Sequence, residues 1–382
     1  MNPWPAVQRS AVIVLLSCAS CSCASELEVG DTDHPARLVR RRLEVRGVTL
    51  APIEDTRLGE VGYGSARCGE ALDEAVDLRA NWVSLTPFGR MDDLEDTDII
   101  PDFEIPLSRA TQMLARAIHQ ARQRGLRVAL FPHVYVMSGQ WRGEIDPGDE
   151  AAWEAWFSSY ERFLLGWAAF AEEQRVDLLS IGVEFKSSTN ARPDRWRRTI
   201  AAVRRLYGGP LTYCANWDEV EDVELWNELD FIGVNAFSPL AEKPGDGFEQ
   251  MSAKARLWAA RLEALAVLWD RPVIFTEFGI KSASDSALAP WEWPEHCSAL
   301  RYDEPYQAMA YDAVLGAFID EPWFAGLFLW KLLSDPWDET QENKAGFSPR
   351  GKLGAAALTW WFALPWGTFD SSPALGPLVH PL

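Results

Sequence analysis

Two glutamates in this chain stand where a carboxylate is hard to tolerate. Glu184 follows the apolar run Leu178-Leu179-Ser180-Ile181-Gly182-Val183, and Glu277 follows Val273-Ile274-Phe275-Thr276. A charge at the end of a buried strand costs free energy unless it is paired or used. Two carboxyls facing each other across a cleft are what glycoside cleavage requires. One is held protonated to donate to the leaving oxygen; the other is ionised to attack carbon or activate water. A separation of about 5–5.5 Å gives retention of configuration, and a wider gap gives inversion. A salt-bridged structural role is the alternative for either glutamate, and it accounts poorly for both together.

The rest of the composition narrows the chemistry. The chain has 382 residues, with 36 Lys and Arg against 56 Asp and Glu, a net charge of −20. Such a balance argues against nucleic acid, a polyanionic substrate or an anionic membrane surface as partner, because each needs clustered cations. Only five histidines occur, and no His/Asp/Glu group has ligand spacing, so neither a metal nor another cofactor is expected. That disfavours a metal-dependent amidohydrolase. Nineteen tryptophans are an excess; most suit packing, and the remainder offer flat apolar platforms with a polar edge for sugar rings.

The elements that must position these groups alternate regularly. Strand-like runs fall at 43–50, 82–86, 126–132, 178–183, 211–215, 231–235, 273–276 and 326–330. Helical three-to-four spacing of apolar residues marks 107–124, 153–173, 196–207, 248–269 and 306–319. Gly125, Gly208 and Gly209 lie just past helices, as C-cap glycines do. Eight strand–helix units predict a single α/β domain, a (β/α)8 TIM barrel over 43–365 with a tail at 366–382. A doubly wound sheet is the rival, but Val48-Thr49-Leu50-Ala51-Pro52 supplies no Gly-rich phosphate turn. The loops 88–106, 134–147 and 281–304 then belong to the catalytic face, and Glu184 and Glu277 end the fourth and seventh strands.

Residues 1–24 read as an export signal: Arg9, the apolar run 11–16, then small residues and cysteines. Leu15-Leu16-Ser17-Cys18 looks like a lipobox with Cys18 as the lipidated residue; Cys21, or simple cleavage after Ala24, is the alternative. The expectation is an exported bacterial protein, secreted or held at the surface by a lipid anchor. Residues 25–42, ending in Arg40-Arg41-Arg42, read as a solvated linker. Cys68, Cys214 and Cys297 remain in the body, far apart, so at most one disulfide forms; Cys214 reads as a core residue.

Several motifs together resemble glycoside hydrolase family 113, within the retaining clan A. They are Phe131-Pro132-His133-Val134, Gln140-Trp141-Arg142-Gly143-Glu144-Ile145 and Ser180-Ile181-Gly182-Val183-Glu184. Ala215-Asn216-Trp217-Asp218-Glu219, Phe231-Ile232-Gly233-Val234-Asn235-Ala236, Phe275-Thr276-Glu277-Phe278-Gly279 and Phe328-Leu329-Trp330 complete the set. The likeness spans about 47–362. It implies a β-1,4-mannanase-like hydrolase on mannan or glucomannan, with Glu184 as acid/base and Glu277 as nucleophile. Two positions depart from the pattern. Val183 stands where many clan relatives have Asn, and Phe237 where a tyrosine often follows the alanine. They keep a second reading open, a non-catalytic or weakened glycan-binding surface lipoprotein on the same barrel.

The other strand ends fit a sugar cleft. His133 is expected to bond a sugar hydroxyl or a catalytic carboxylate, and Trp141 to stack on a sugar face. Arg142 contacts substrate or pairs with a loop acid such as Glu144. Asn216, Trp217 and Asn235 offer contacts at the mouth. Trp330 would form the floor at the cleavage point, and Trp291 with Trp293 a further subsite.

Overall fold

The computed structural model describes residues 44–51, 62–103, 105–292, 300–337, 342 and 344–366, all within one compact unit. The export signal with Cys18 and Cys21, the linker, Trp293, Cys297 and most of the tail lie outside the described residues. Ten strands form among the described residues: β1 (Val45–Ala51), β2 (Trp82–Leu85), β3 (Phe88–Met91), β4 (Arg127–Leu130) and β5 (His133–Val136). They continue as β6 (Leu178–Val183), β7 (Leu211–Asn216), β8 (Ile232–Asn235), β9 (Val273–Phe278) and β10 (Phe324–Leu333). Eight of them close a parallel barrel in the order β1-β10-β9-β8-β7-β6-β4-β2, as the alternation predicts. No helix among the described residues is long and apolar enough to cross a membrane.

The helices are α1 (Ala66–Asp77), α2 (Leu107–Gln123), α3 (Glu150–Glu173), α4 (Lys186–Ala191) and α5 (Pro193–Arg204). After these come α6 (Phe248–Trp269), α7 (Glu304–Phe318) and α8 (Leu353–Ala363). The start of α3 is fixed by Asp149, whose carboxylate accepts from the Ala152 N–H at 2.9 Å. Gly125, at φ +77°, follows α2 as expected. Gly208 and Gly209 are not C-caps, because α5 ends at Arg204 and is capped by Arg205 in right-handed conformation. Between β7 and β8 the crossover is only a 3₁₀ turn, Trp226–Glu228.

Side chains from every strand region fill the barrel: Val45, Trp82, Ala129, Phe131, Leu178, Val183, Cys214, Phe231, Ile274, Ala325 and Phe328 form one buried cluster. Cys214 is therefore core, as expected, and both it and Cys68 are free and buried.

The third predicted strand, 126–132, is cut short, and the reason is proline. Pro87 and Pro132 lack an N–H and interrupt the ladder of β2 and β4. Beyond them the chains pair again as β3 and β5, in parallel, with Phe88 opposite His133. This small sheet was not visible as periodicity. It carries the third barrel strand outward and sets His133 at the start of β5.

Candidate active site

The fourth barrel strand, β6, ends in Val183, and Glu184 follows in left-handed backbone conformation with φ +56°. Its N–H still donates to the Cys214 carbonyl of β7 at 2.8 Å. The next residue, Phe185, is buried among Trp156, Tyr160 and Trp196 at ring distances of 5.0–5.8 Å. Packing on α3 and α5 thus pins the kink that turns Glu184 into the mouth. On the seventh barrel strand, β9, Glu277 lies opposite Asn235 of β8 in register. Glu184 and Glu277 are only 9% and 6% exposed.

Each carboxylate has its own set of partners. Glu184 Oε1 accepts from Asn235 Nδ2 at 2.9 Å, and Oε2 from Trp141 Nε1 at 3.0 Å. Arg142 Nε lies 3.6 Å from the same Oε2, a charge contact longer than a hydrogen bond. Asn235 is itself fixed, its Oδ1 accepting from Thr276 Oγ1 at 2.9 Å. Glu277 Oε1 is 3.2 Å from His133 Nε2. The other ring nitrogen, Nδ1, is 2.8 Å from the Phe131 carbonyl. A carbonyl only accepts, so Nδ1 carries a hydrogen. The Nε2–Glu277 contact is then a hydrogen bond only when a further proton lies between those two atoms.

Burial decides where that proton rests. It is the main force lowering His133 to about 3, with Arg142 adding to it. Burial also pushes Glu277 well above the usual carboxylate range; the Glu184 carboxylate adds to this, while Arg142 and Lys331 pull the other way. Burial of the two groups therefore favours the neutral imidazole and the protonated form of Glu277.

Most expected site residues converge here, with some roles changed. His133 meets a catalytic-type carboxylate, one of its two expected roles. Trp141 points its N–H at Glu184, and Gly143 lies close beneath its ring, where a Cβ would come within 2.5 Å. The Arg142–Glu144 pairing does not form: Arg142 donates to the Val134 carbonyl at 3.0 Å and turns to Glu184, leaving Glu144 exposed. Asn235 is buried and engaged with Glu184. Asn216 bonds the neighbouring Asp218 through Nδ2 at 2.8 Å. Trp330 is buried with Phe237 and Phe347, and half-buried Trp217 packs against this group. Trp291 stacks on Trp217, with ring centroids 5.5 Å apart.

Three residues escaped sequence reasoning. Lys331 lies under the mouth with its ammonium 5.3 Å from the Trp330 ring centre. Glu219 is fully buried, accepting at Oε1 from the Asn216 N–H at 2.8 Å and the Tyr213 hydroxyl at 3.0 Å. The Tyr213 hydroxyl in turn accepts from the Phe185 N–H at 2.6 Å, so this chain of bonds ends beside Glu184. Burial raises Glu219 to about 8. Its only sequence signal was an acid three residues past a strand end. Among the described residues no His/Cys/Asp/Glu group could hold a metal ion.

Comparison with known proteins decides the family. Residues 59–352 match the family described as Glycoside Hydrolase Family 113. The chain belongs to glycoside hydrolase family 113. It is a glycosidase of that family, and its barrel matches solved members along nearly their whole length. A GH113 β-mannanase from Alicyclobacillus acidocaldarius, solved in complex with ManMIm, is 27% identical. The match covers 84% of this chain and 97% of that one, with a TM-score of 0.72. A GH113 β-1,4-mannanase solved as a complex is 24% identical over 84% and 98% of the two chains, TM-score 0.71. A family 5 mannosidase from Rhizomucor miehei, 10% identical over 84% and 92% with a TM-score of 0.57, shares the fold. Among curated protein sequences none matches.

Proposed function

We propose that this glycosidase cleaves β-1,4-linked neutral polysaccharide, mannan or glucomannan first, with retention by double displacement. The observation that carries the reading is the pair Glu184 and Glu277. Both are buried, Glu184 just past β6 and Glu277 on β9, and Asn235 is bonded to one and in register with the other. The GH113 relatives described as β-mannanases support the substrate class.

The reactive form has Glu277 ionised and the proton on Glu184; in the first step Glu277 attacks the anomeric carbon as the glycosidic C–O bond breaks. Glu184 gives its proton to the leaving oxygen. In the second, Glu184 takes a proton from water, whose oxygen attacks the same carbon and releases Glu277. One water is consumed and both carboxyls return to their starting forms. Arg142 and Lys331 favour the ionised Glu277 that the attack requires. Trp141 and Asn235 hold the Glu184 carboxyl in place. Trp330 floors the site.

Reducing-sugar release from mannan, glucomannan, xylan and cellulose tests this, with mannan or glucomannan expected to be cleaved fastest. Absence of cleavage on all four sinks the substrate claim, and an inverted product from an unmodified substrate sinks the double displacement. We also propose export, with a mature chain beginning at Cys18 and carrying lipid; the mass of the processed N-terminus tests it.

A further inference from the structure

Aromatic rings from several strand ends and loops form a row. Trp330, Phe237 and Phe347 pack together, half-buried Trp217 leans on them, and Trp291 stacks on Trp217 with its plane inclined by 27°. Trp291 is 45% exposed. A large ring at the surface keeps one orientation only if its backbone is held.

The holding group is Lys281, a lysine only 1% exposed just past β9. Its ammonium donates to the carbonyls of Ala289 at 3.0 Å, Pro290 at 3.3 Å and Glu292 at 2.7 Å. Those bonds grip the residues on both sides of Trp291. The same ammonium lies 5.4 Å from the centre of the Phe347 ring, so one cation joins the Trp291 loop to the floor cluster. A buried ammonium is costly unless charge-assisted bonds offset it. Three carbonyls drawn from one short loop do so here, and the loop gains a fixed shape.

We propose that Lys281 is a positioning residue that presents Trp217 and Trp291 as a sugar-binding platform away from the cleavage point. The ligand class is a neutral β-linked pyranose within a long chain. The platform is an apolar ring face with a polar rim, which matches a pyranose, and the −20 net charge disfavours an acidic sugar. The proposal rests on the hydrolase reading above, and the test separates the two.

Binding of manno-, cello- and xylohexaose and of the matching bioses to the Glu277→Ala protein is measured by calorimetry. It is repeated with Lys281→Met, with Trp291→Ala and with both. At least one hexaose should bind. Each single change should weaken that hexaose about tenfold more than its biose, and the double change no more than one alone. Equal weakening of hexaose and biose, unchanged binding, no hexaose binding, or losses that add would each overturn the proposal. Should Lys281→Met not fold, the surface change Trp291→Ala still decides the platform. Failure of the parent to cleave any polymer, with this binding pattern intact, removes the hydrolase reading and leaves the platform standing.

Discussion

Glu184 holds a left-handed backbone conformation that costs a non-glycine residue about 1–2 kcal/mol. Such strain persists only where the surroundings over-determine it, and it collects at functional sites. Its opposite, Glu277, meets His133 Nε2 at 3.2 Å. Azide separates their roles. Glu277→Gly should lose turnover yet cleave an activated glycoside when azide is supplied, giving an azide product of inverted configuration. Glu184→Ala should fall by about 10²–10⁴-fold and give an azide product of retained configuration; swapped products would exchange the two assignments. The charge environment makes a second forecast. In the proposed mechanism attack needs ionised Glu277, so the acid limb of kcat/KM should report proton loss from the His133–Glu277 pair as a unit. Lys331 favours the ionised form; Lys331→Met should therefore move that limb to higher pH, and an unmoved limb would remove Lys331 from the electrostatics of the site. Both carboxylates were legible as strand-end acids. The proton partner of Glu277 was only half legible, because a histidine after a proline does not say which carboxylate its ring will meet.

At the scale of elements, β6 and β7 hold the proposed acid/base, Glu184, beside a buried relay. The Phe185 N–H, the Tyr213 hydroxyl and the Glu219 carboxyl are joined in sequence. Burial raises Glu219 to about 8, whereas the unfolded chain releases that proton near pH 4.3. Between those values the folded state binds more protons than the unfolded. The stability this group contributes is therefore full below about 4.3 and lost as pH rises through about 8. Glu219→Gln stays neutral throughout. Thermal unfolding of both proteins should show the variant gaining on the parent from about pH 5 to about pH 8; parallel curves would mean that Glu219 holds no proton. The eight strands were readable because each is a short apolar run. The β3–β5 sheet was not, since prolines break the runs and its pairing links residues 88–91 to 133–136.

At the scale of the molecule, the net charge of −20 supports the proposed neutral substrate over an acidic one and says little about the fold. A carboxymethylated mannan, which keeps the β-1,4 linkage and adds negative charge, should be cleaved far more slowly than neutral mannan, and added salt should narrow the gap by screening. Equal rates at low salt would show that the charge has no bearing on the cleft. The tryptophans divide at this scale as well. Trp82, Trp156, Trp196 and Trp226 are fully buried packing residues, whereas Trp291 is exposed at the mouth.

By itself, the sequence indicated the barrel, the two strand-end glutamates as candidates and the places of five of its helices. Those properties are written in local periodicity, and a strand's exit is its next residue. Only the tertiary structure decided the contacts that give these residues a role. Trp141 and Arg142 reach Glu184 from a loop more than 40 positions away, Lys331 influences Glu277 from the neighbouring strand, and Glu219 is sealed from water. Closure of the barrel and the register between its strands bring such distant residues together, and no local spacing encodes them.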